Sequence, residues 1–203
     1  IMLDTGFNFG GANGARLREM VMRINVLLTG SRFLRGVNAF GGVSKDVSDE
    51  QSAALARELR QLRRDFIELM NIAEDSASLN NRLKTAGPLD LKIAQDYGVV
   101  GVPARALGIA RDTRKEHPYA AYADLPKFNV ASETSGDVYA RFHVRAQEVQ
   151  SSVDLVLKAL ADLPGGAIKA KFPAQLPKNA VSVGCVEGWR GEIVHFITTN
   201  AHG

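Results

Sequence analysis

Arg190 stands in the run Glu187-Gly188-Trp189-Arg190-Gly191-Glu192, a guanidinium with a glycine on each side and a carboxylate at each end. A planar fork of donors on a flexible turn can be aimed into a pocket to hold developing negative charge. Taken alone, the same run reads as a hairpin turn. A second polar cluster joins Asp112-x-Arg114 to Pro118-Tyr119 and Tyr122 inside a loop, where polar residues hint at function more than they do on a helix face. The simpler reading, favoured here, is that Asp112 and Arg114 pair and hold the loop shut. Gly6-x-x-x-Gly10-Gly11-x-x-Gly14 has the look of a nucleotide loop, but no strand precedes it and no Lys-Ser or Lys-Thr follows. Close helix packing is the favoured account of those glycines. Cys185 has no legible His–Asp arrangement around it and alternates with Val183, which suggests a buried structural thiol. His117, His143, His195 and His202 lie in four separate places, none at ligand spacing from another, so a self-contained zinc site is rejected.

Composition bounds the rest. The 203 residues are 45% hydrophobic and 23% charged, the balance of a globular chain with a real core. One cysteine excludes an intrachain disulfide and any Cys-rich zinc or iron–sulfur site. A net charge of +3 is too small to argue for nucleic acid, and none is expected as a partner. No apolar run reaches the length of a membrane-crossing helix, so no direct membrane span is expected. The expected organisation is a single domain over residues 1–203. The opening Ile1-Met2-Leu3-Asp4 lacks the basic start of a signal peptide, and the apolar run Ile193 to Ile197 stops near the end; both suggest an internal piece of a longer protein.

The elements that must position these residues are mostly helical. Leu17, Met20, Val21, Ile24, Leu27 and Leu28 recur at helical steps and predict a helix near 15–29, stopped by Gly30. Residues 31–47 read as extended or loop. Ser48 and Gln51 form a capping box ahead of Leu55, Leu59, Leu62, Phe66, Leu69 and Ala73, predicting a long helix over 48–74. Arg57, Arg60, Arg63 and Arg64 alternate with acids on its solvated face. Shorter helices are expected over Ser76 to Lys84 and Leu89 to Tyr97. Val99 to Asn129, with Pro103, Pro118 and Pro126, reads as an ordered loop with turns. Val138, Phe142, Ala146, Val149, Val153, Val156 and Leu160 predict a helix over 136–163. Residues 180–198 then change to strand period and predict a small hairpin. The fold class is mainly α (α+β), a helical bundle with a long ordered loop and a small C-terminal β element.

Read as strings, a series of segments follows one family's order. They run from Asp4-Thr5-Gly6-Phe7 through Arg16-Leu17-Arg18-Glu19 and Leu28-Thr29-Gly30-Ser31-Arg32-Phe33 to Gly41-Gly42-Val43. Gly98-Val99-Val100-Gly101-Val102-Pro103-Ala104-Arg105 and Asp112-Thr113-Arg114 follow, with Pro118-Tyr119 and Tyr122. Gly136-Asp137-Val138-Tyr139-Ala140-Arg141 leads to Arg145 and Glu148, then Leu163-Pro164-Gly165-Gly166 and Glu187-Gly188-Trp189-Arg190-Gly191-Glu192. The series resembles the large subunit of energy-converting, membrane-bound [NiFe] hydrogenases of the formate hydrogenlyase type, and its homologue, the quinone-site subunit of respiratory complex I. The hydrogenase-like branch is preferred.

The resemblance implies an oxidoreductase component working beside an iron–sulfur small subunit and other subunits of a membrane-bound complex. It places the protein in the cytoplasm, peripheral to the inner membrane. In the hydrogenases two Cys-x-x-Cys pairs hold the nickel–iron centre; this sequence has neither, so no cofactor is expected in the chain itself and the chain alone is expected to be inactive. The nickel–iron centre belongs to a full-length parent, and quinone is the alternative cofactor, bound by a coupling subunit without nickel. The resemblance implies that Arg190 lies over the metal centre, with Trp189 where the family usually has proline. It implies that Asp4 lies near a quinone headgroup in the complex I branch, as partner of an upstream His, and is otherwise structural. Glu192 is a candidate for a proton exit path or for a solvent-facing strand position.

Overall fold

The computed structural model describes all residues except Pro126 and Ala174. The order is α1 (Asn8–Thr29), β1 (Asn38–Ala39), β2 (Gly42–Val43), α2 (Asp49–Glu74), α3 (Ala77–Leu83), α4 (Leu91–Asp96), α5 (Val102–Arg105), α6 (Thr113–Glu116), a 3-10 turn (Ala120–Ala123), α7 (Val138–Ala161), β3 (Val181–Gly188) and β4 (Gly191–Thr198). It is mainly α with a C-terminal hairpin, β3–β4, as the sequence patterns imply, and a second small antiparallel sheet, β1–β2. The chain divides into two compact units, residues 1–79 with 156–172, and residues 80–155 with 173–203.

In the first unit α1 and α2 pack antiparallel. Arg16 near the start of α1 pairs with Asp65 late in α2 at 2.6 Å, and Gln51 at the start of α2 donates to the Leu27 carbonyl at 3.0 Å. Gly10, Leu17 and Ile24 recur every seven residues along the buried stripe of α1. Leu55, Leu59, Leu62, Leu69, Met70 and Ala73 form that of α2. The capping box is present: Ser48 accepts from the Gln51 backbone while the Gln51 side chain accepts from the Ser48 N–H. The helix predicted from about residue 15 begins seven residues earlier, so Gly10, Gly11 and Gly14 lie inside α1. A β-carbon on Gly10 would meet the Phe7 ring at 2.4 Å, and one on Gly11 would meet Leu3 at 2.2 Å. Those two glycines admit side chains from the preceding turn rather than another helix. Residues 31–47, read as extended or loop, carry the short β1–β2 pair.

The second unit holds the polar site. Its centre is Val102, Ala106, Ala140 and Val144, all buried. Asp137 caps α7: its carboxylate accepts from the Ala140 N–H, the Ser135 hydroxyl and the Thr85 N–H, each at 2.8 Å. Burial works against that charge, but those donors hold its carboxyl below the ordinary carboxylate range. The long loop expected over 99–129 is ordered by short helices at 102–105 and 113–116 and by the 3-10 turn; Pro126, counted in it, lies outside the described residues. β3 and β4 pair from Val181↔Thr198 to Gly188↔Gly191, leaving Trp189 and Arg190 as a two-residue turn. Val181, Val183, Val194 and Phe196 on this ribbon remain exposed. Cys185, expected to be buried, is only half-buried there, because a two-stranded ribbon covers neither of its own faces.

Candidate functional site

Arg105 ends α5 inside an otherwise apolar run, Val99 to Ile109, and its side chain is 2% exposed. A charge buried so completely must be paired. Its Nη1 donates to Glu187 Oε1 at 2.9 Å and to the Arg111 carbonyl at 3.1 Å, and its Nη2 stands 2.8 Å from Glu148 Oε1. Asp112 lies 3.9 Å from Nη1. Three carboxylates, from the 112 loop, from α7 and from the end of β3, therefore converge on one guanidinium.

Each carboxylate has its own support. Asp112 takes Nε and Nη2 of Arg114 at 2.9 and 2.6 Å, the bidentate geometry that suits a guanidinium. That bond holds the Arg114 cation even more firmly protonated than usual, and Arg114 also lies against the rings of Phe128 and Tyr122, at 5.0 and 5.9 Å. The pairing expected to hold the loop shut is present. Glu187 Oε2 accepts the Thr113 N–H at 3.1 Å, and the Glu187 N–H donates to the Tyr119 hydroxyl at 3.1 Å. Burial pushes the Tyr119 hydroxyl above its ordinary range. Burial likewise raises Glu148, against the pull of Arg105. A cleft of about 10 Å³, room for one water, is lined by Asp112, Thr113, Glu116, Glu187 and Glu192.

The residues singled out from sequence fall around this cluster and elsewhere. Arg190 is exposed in the β3–β4 turn, its guanidinium 4.2 Å from the Trp189 ring centre, and Arg145 of α7 approaches the same ring at 5.5 Å. Neither arginine has a carboxylate partner among the described residues. Glu192, also exposed, accepts from the Thr113 hydroxyl at 3.4 Å and stands directly across the ribbon from Glu187. Arg190 and Glu192 thus share one end of one hairpin. Asp4 belongs to the first unit and is 84% exposed. Sequence reasoning passed over Arg105 and Glu148 as site residues. The signal for Arg105 was there: a lone arginine in an eleven-residue stretch of otherwise uncharged residues.

Comparison with known proteins bears on this geometry. Residues 4–202 match the family described as respiratory-chain NADH dehydrogenase, 49 Kd subunit. Formate hydrogenlyase subunit 5 of Escherichia coli is 34% identical over 96% of this chain and 34% of its own length. An NADH-quinone oxidoreductase subunit of Phocaeicola vulgatus is 32% identical over 95% of this chain and 37% of its own. The chain spans about a third of the length of these two curated relatives. Among solved structures, a chain of the membrane-bound sulfane sulfur reductase, an archaeal respiratory membrane complex, aligns over 98% of this chain and 57% of its own with a TM-score of 0.86 and 26% identity. No helix among the described residues is long and apolar enough to cross a membrane. A match that runs almost from end to end, and takes in the Arg105 cluster and the Arg190 turn alike, makes this chain a member of the NADH dehydrogenase 49 Kd subunit family.

Proposed function

We propose that the chain is part of the redox-active large subunit of a formate hydrogenlyase-type [NiFe] hydrogenase complex, working beside an iron–sulfur small subunit at the cytoplasmic face of the inner membrane. The observation that carries this reading is the 34% identity to formate hydrogenlyase subunit 5 across nearly the whole chain. The site is consistent with it. Arg190 presents a guanidinium that no carboxylate of the described residues neutralises, on a turn with glycine at each side. Such a group has its donors free for an anionic or electron-rich ligand. Glu192 would carry protons away from the pocket through the Thr113 hydroxyl, and Asp4 would keep a structural part.

The residues of this chain do not fit a nickel–iron centre. Such a site needs several soft thiolates, the chain has one cysteine, and among the described residues no group of three His, Cys, Asp or Glu could hold a metal ion. The 203-residue chain by itself is therefore expected to be inactive. The second reading, a quinone-binding coupling subunit without nickel, is favoured by the 32% identity to the NADH-quinone oxidoreductase protein of Phocaeicola vulgatus. There Asp4 would be the carboxylate half of a proton-donating pair at the quinone headgroup.

The test is Arg190→Lys in the full-length polypeptide assembled with its partner subunits. Lysine keeps the charge and loses the planar fork. Hydrogen turnover should fall about 100-fold with assembly intact, the scale of losing a preorganised donor. Wild-type hydrogen turnover would remove Arg190 from the pocket, and loss of quinone turnover instead would select the second reading.

A further inference from the structure

We propose that Glu187 is a positioning residue for Arg190: the buried Arg105–Glu187 pair fixes the strand end from which the Trp189–Arg190 turn projects. The proposal rests on the reading of Arg190 given above. Among the described residues the guanidinium of Arg190 has no hydrogen bond or ion pair, only the contact with the neighbouring indole, so its own polar contacts do not set its position. The backbone beneath it must do so. Two-residue turns on two-stranded ribbons are soft by themselves.

The anchoring falls two residues before the turn. Glu187 takes Arg105 on one oxygen and the Thr113 N–H on the other, and its N–H is fixed by Tyr119. These are three bonds to three separate segments: two hold the carboxylate and the third holds the peptide N–H. Arg105 is rigid in turn, being 2% exposed and bonded to the Arg111 carbonyl. Across the ribbon, the Glu192 carboxylate accepts from the Thr113 hydroxyl at the longer distance of 3.4 Å. On the β3 side this hold lies three residues from Arg190, and on the β4 side Gly191 rests against the Gly101 backbone.

Glu187→Gln tests the idea. Gln keeps the shape but loses the charge facing Arg105, and its amide nitrogen would face a donor at either Arg105 or Thr113. Trp189 is the only tryptophan of the 203-residue chain, so its fluorescence anisotropy reports the turn directly. In E187Q a fast depolarising component should appear while helical circular dichroism is kept. In the assembled complex, E187Q should lower turnover about 10- to 100-fold, the effect of an ångström of misplacement. The double variant E187Q/R190K should be no slower than R190K, because Glu187 acts through Arg190.

Unchanged Trp189 anisotropy in folded E187Q overturns the proposal whatever Arg190 does. Losses that multiply in the double variant overturn it as well. A mobile Trp189 together with a silent R190K leaves the anchor standing and sinks the redox reading instead. Should E187Q lose its helical signal, Tyr119→Phe removes only the acceptor for the Glu187 N–H and must give the same Trp189 response.

Discussion

The carbonyl oxygen of Arg190 stands 2.1 Å from the point where a side chain on Gly101 would begin. Gly191 completes the contact: a β-carbon there would lie 2.9 Å from the Gly101 nitrogen. Gly101 has φ 71° and ψ −148°, a region that residues with a side chain essentially avoid. Backbone thus meets backbone where the hairpin turn sits on the start of α5.

Gly101→Ala should therefore cost about 3 kcal/mol, from backbone strain and displacement of the turn together. Urea denaturation measures it. A loss under about 0.5 kcal/mol, the range of an ordinary surface change, would mean that the turn does not rest on residue 101.

Arg105→Met leaves Glu148 and Glu187 without their shared cation in a buried place. Removing one partner from such a cluster costs about 3–5 kcal/mol. The same denaturation experiment should show it, and Arg111→Met, an exposed side chain, should stay within about 0.5 kcal/mol.

Glu148 gives a pH signature. Its carboxyl is held above its ordinary range in the folded chain because it is half-buried. A group whose folded value is raised contributes stability that is complete below the unfolded value, about 4.3, and is lost as pH rises through the folded value. Relative to Glu148→Gln, which mimics the neutral form, the wild-type melting temperature should fall as pH is raised from about 4 towards neutrality. A flat difference across that range would count against a carboxyl raised by partial burial at Glu148.

Ser48→Ala removes the side-chain half of the capping box on α2. A loss of about 1 kcal/mol is expected in thermal or chemical unfolding.

The long helices were legible because their burial is periodic: Leu55, Leu59, Leu62 and Leu69 fall on one stripe, and that stripe is the buried one. The start of α1 was not, because Gly10 and Gly11 are poor helix formers whose place is decided by Leu3 and Phe7. The turn carrying Arg190 and the Asp112–Arg114 pair were visible as local patterns. The Arg105 cluster was not. Its carboxylates come from positions 112, 148 and 187, and no periodicity relates residues that far apart in sequence.

The face-to-face pairing of Glu187 with Glu192 makes the hairpin intolerant of changes in length. Side chains on a ribbon alternate faces with each residue, so slipping β3 by one position would turn Glu187 away from Arg105 and bring Gly188 or Val186 in its place. The buried arginine would then lose one of its carboxylate partners, and the misregistered form would be disfavoured by electrostatics as well as by packing. Point substitutions along Val181, Val183 and Phe196 leave that check intact, whereas a single inserted or deleted residue between Cys185 and Glu192 trips it. The buried cation works as a proofreading element for strand alignment.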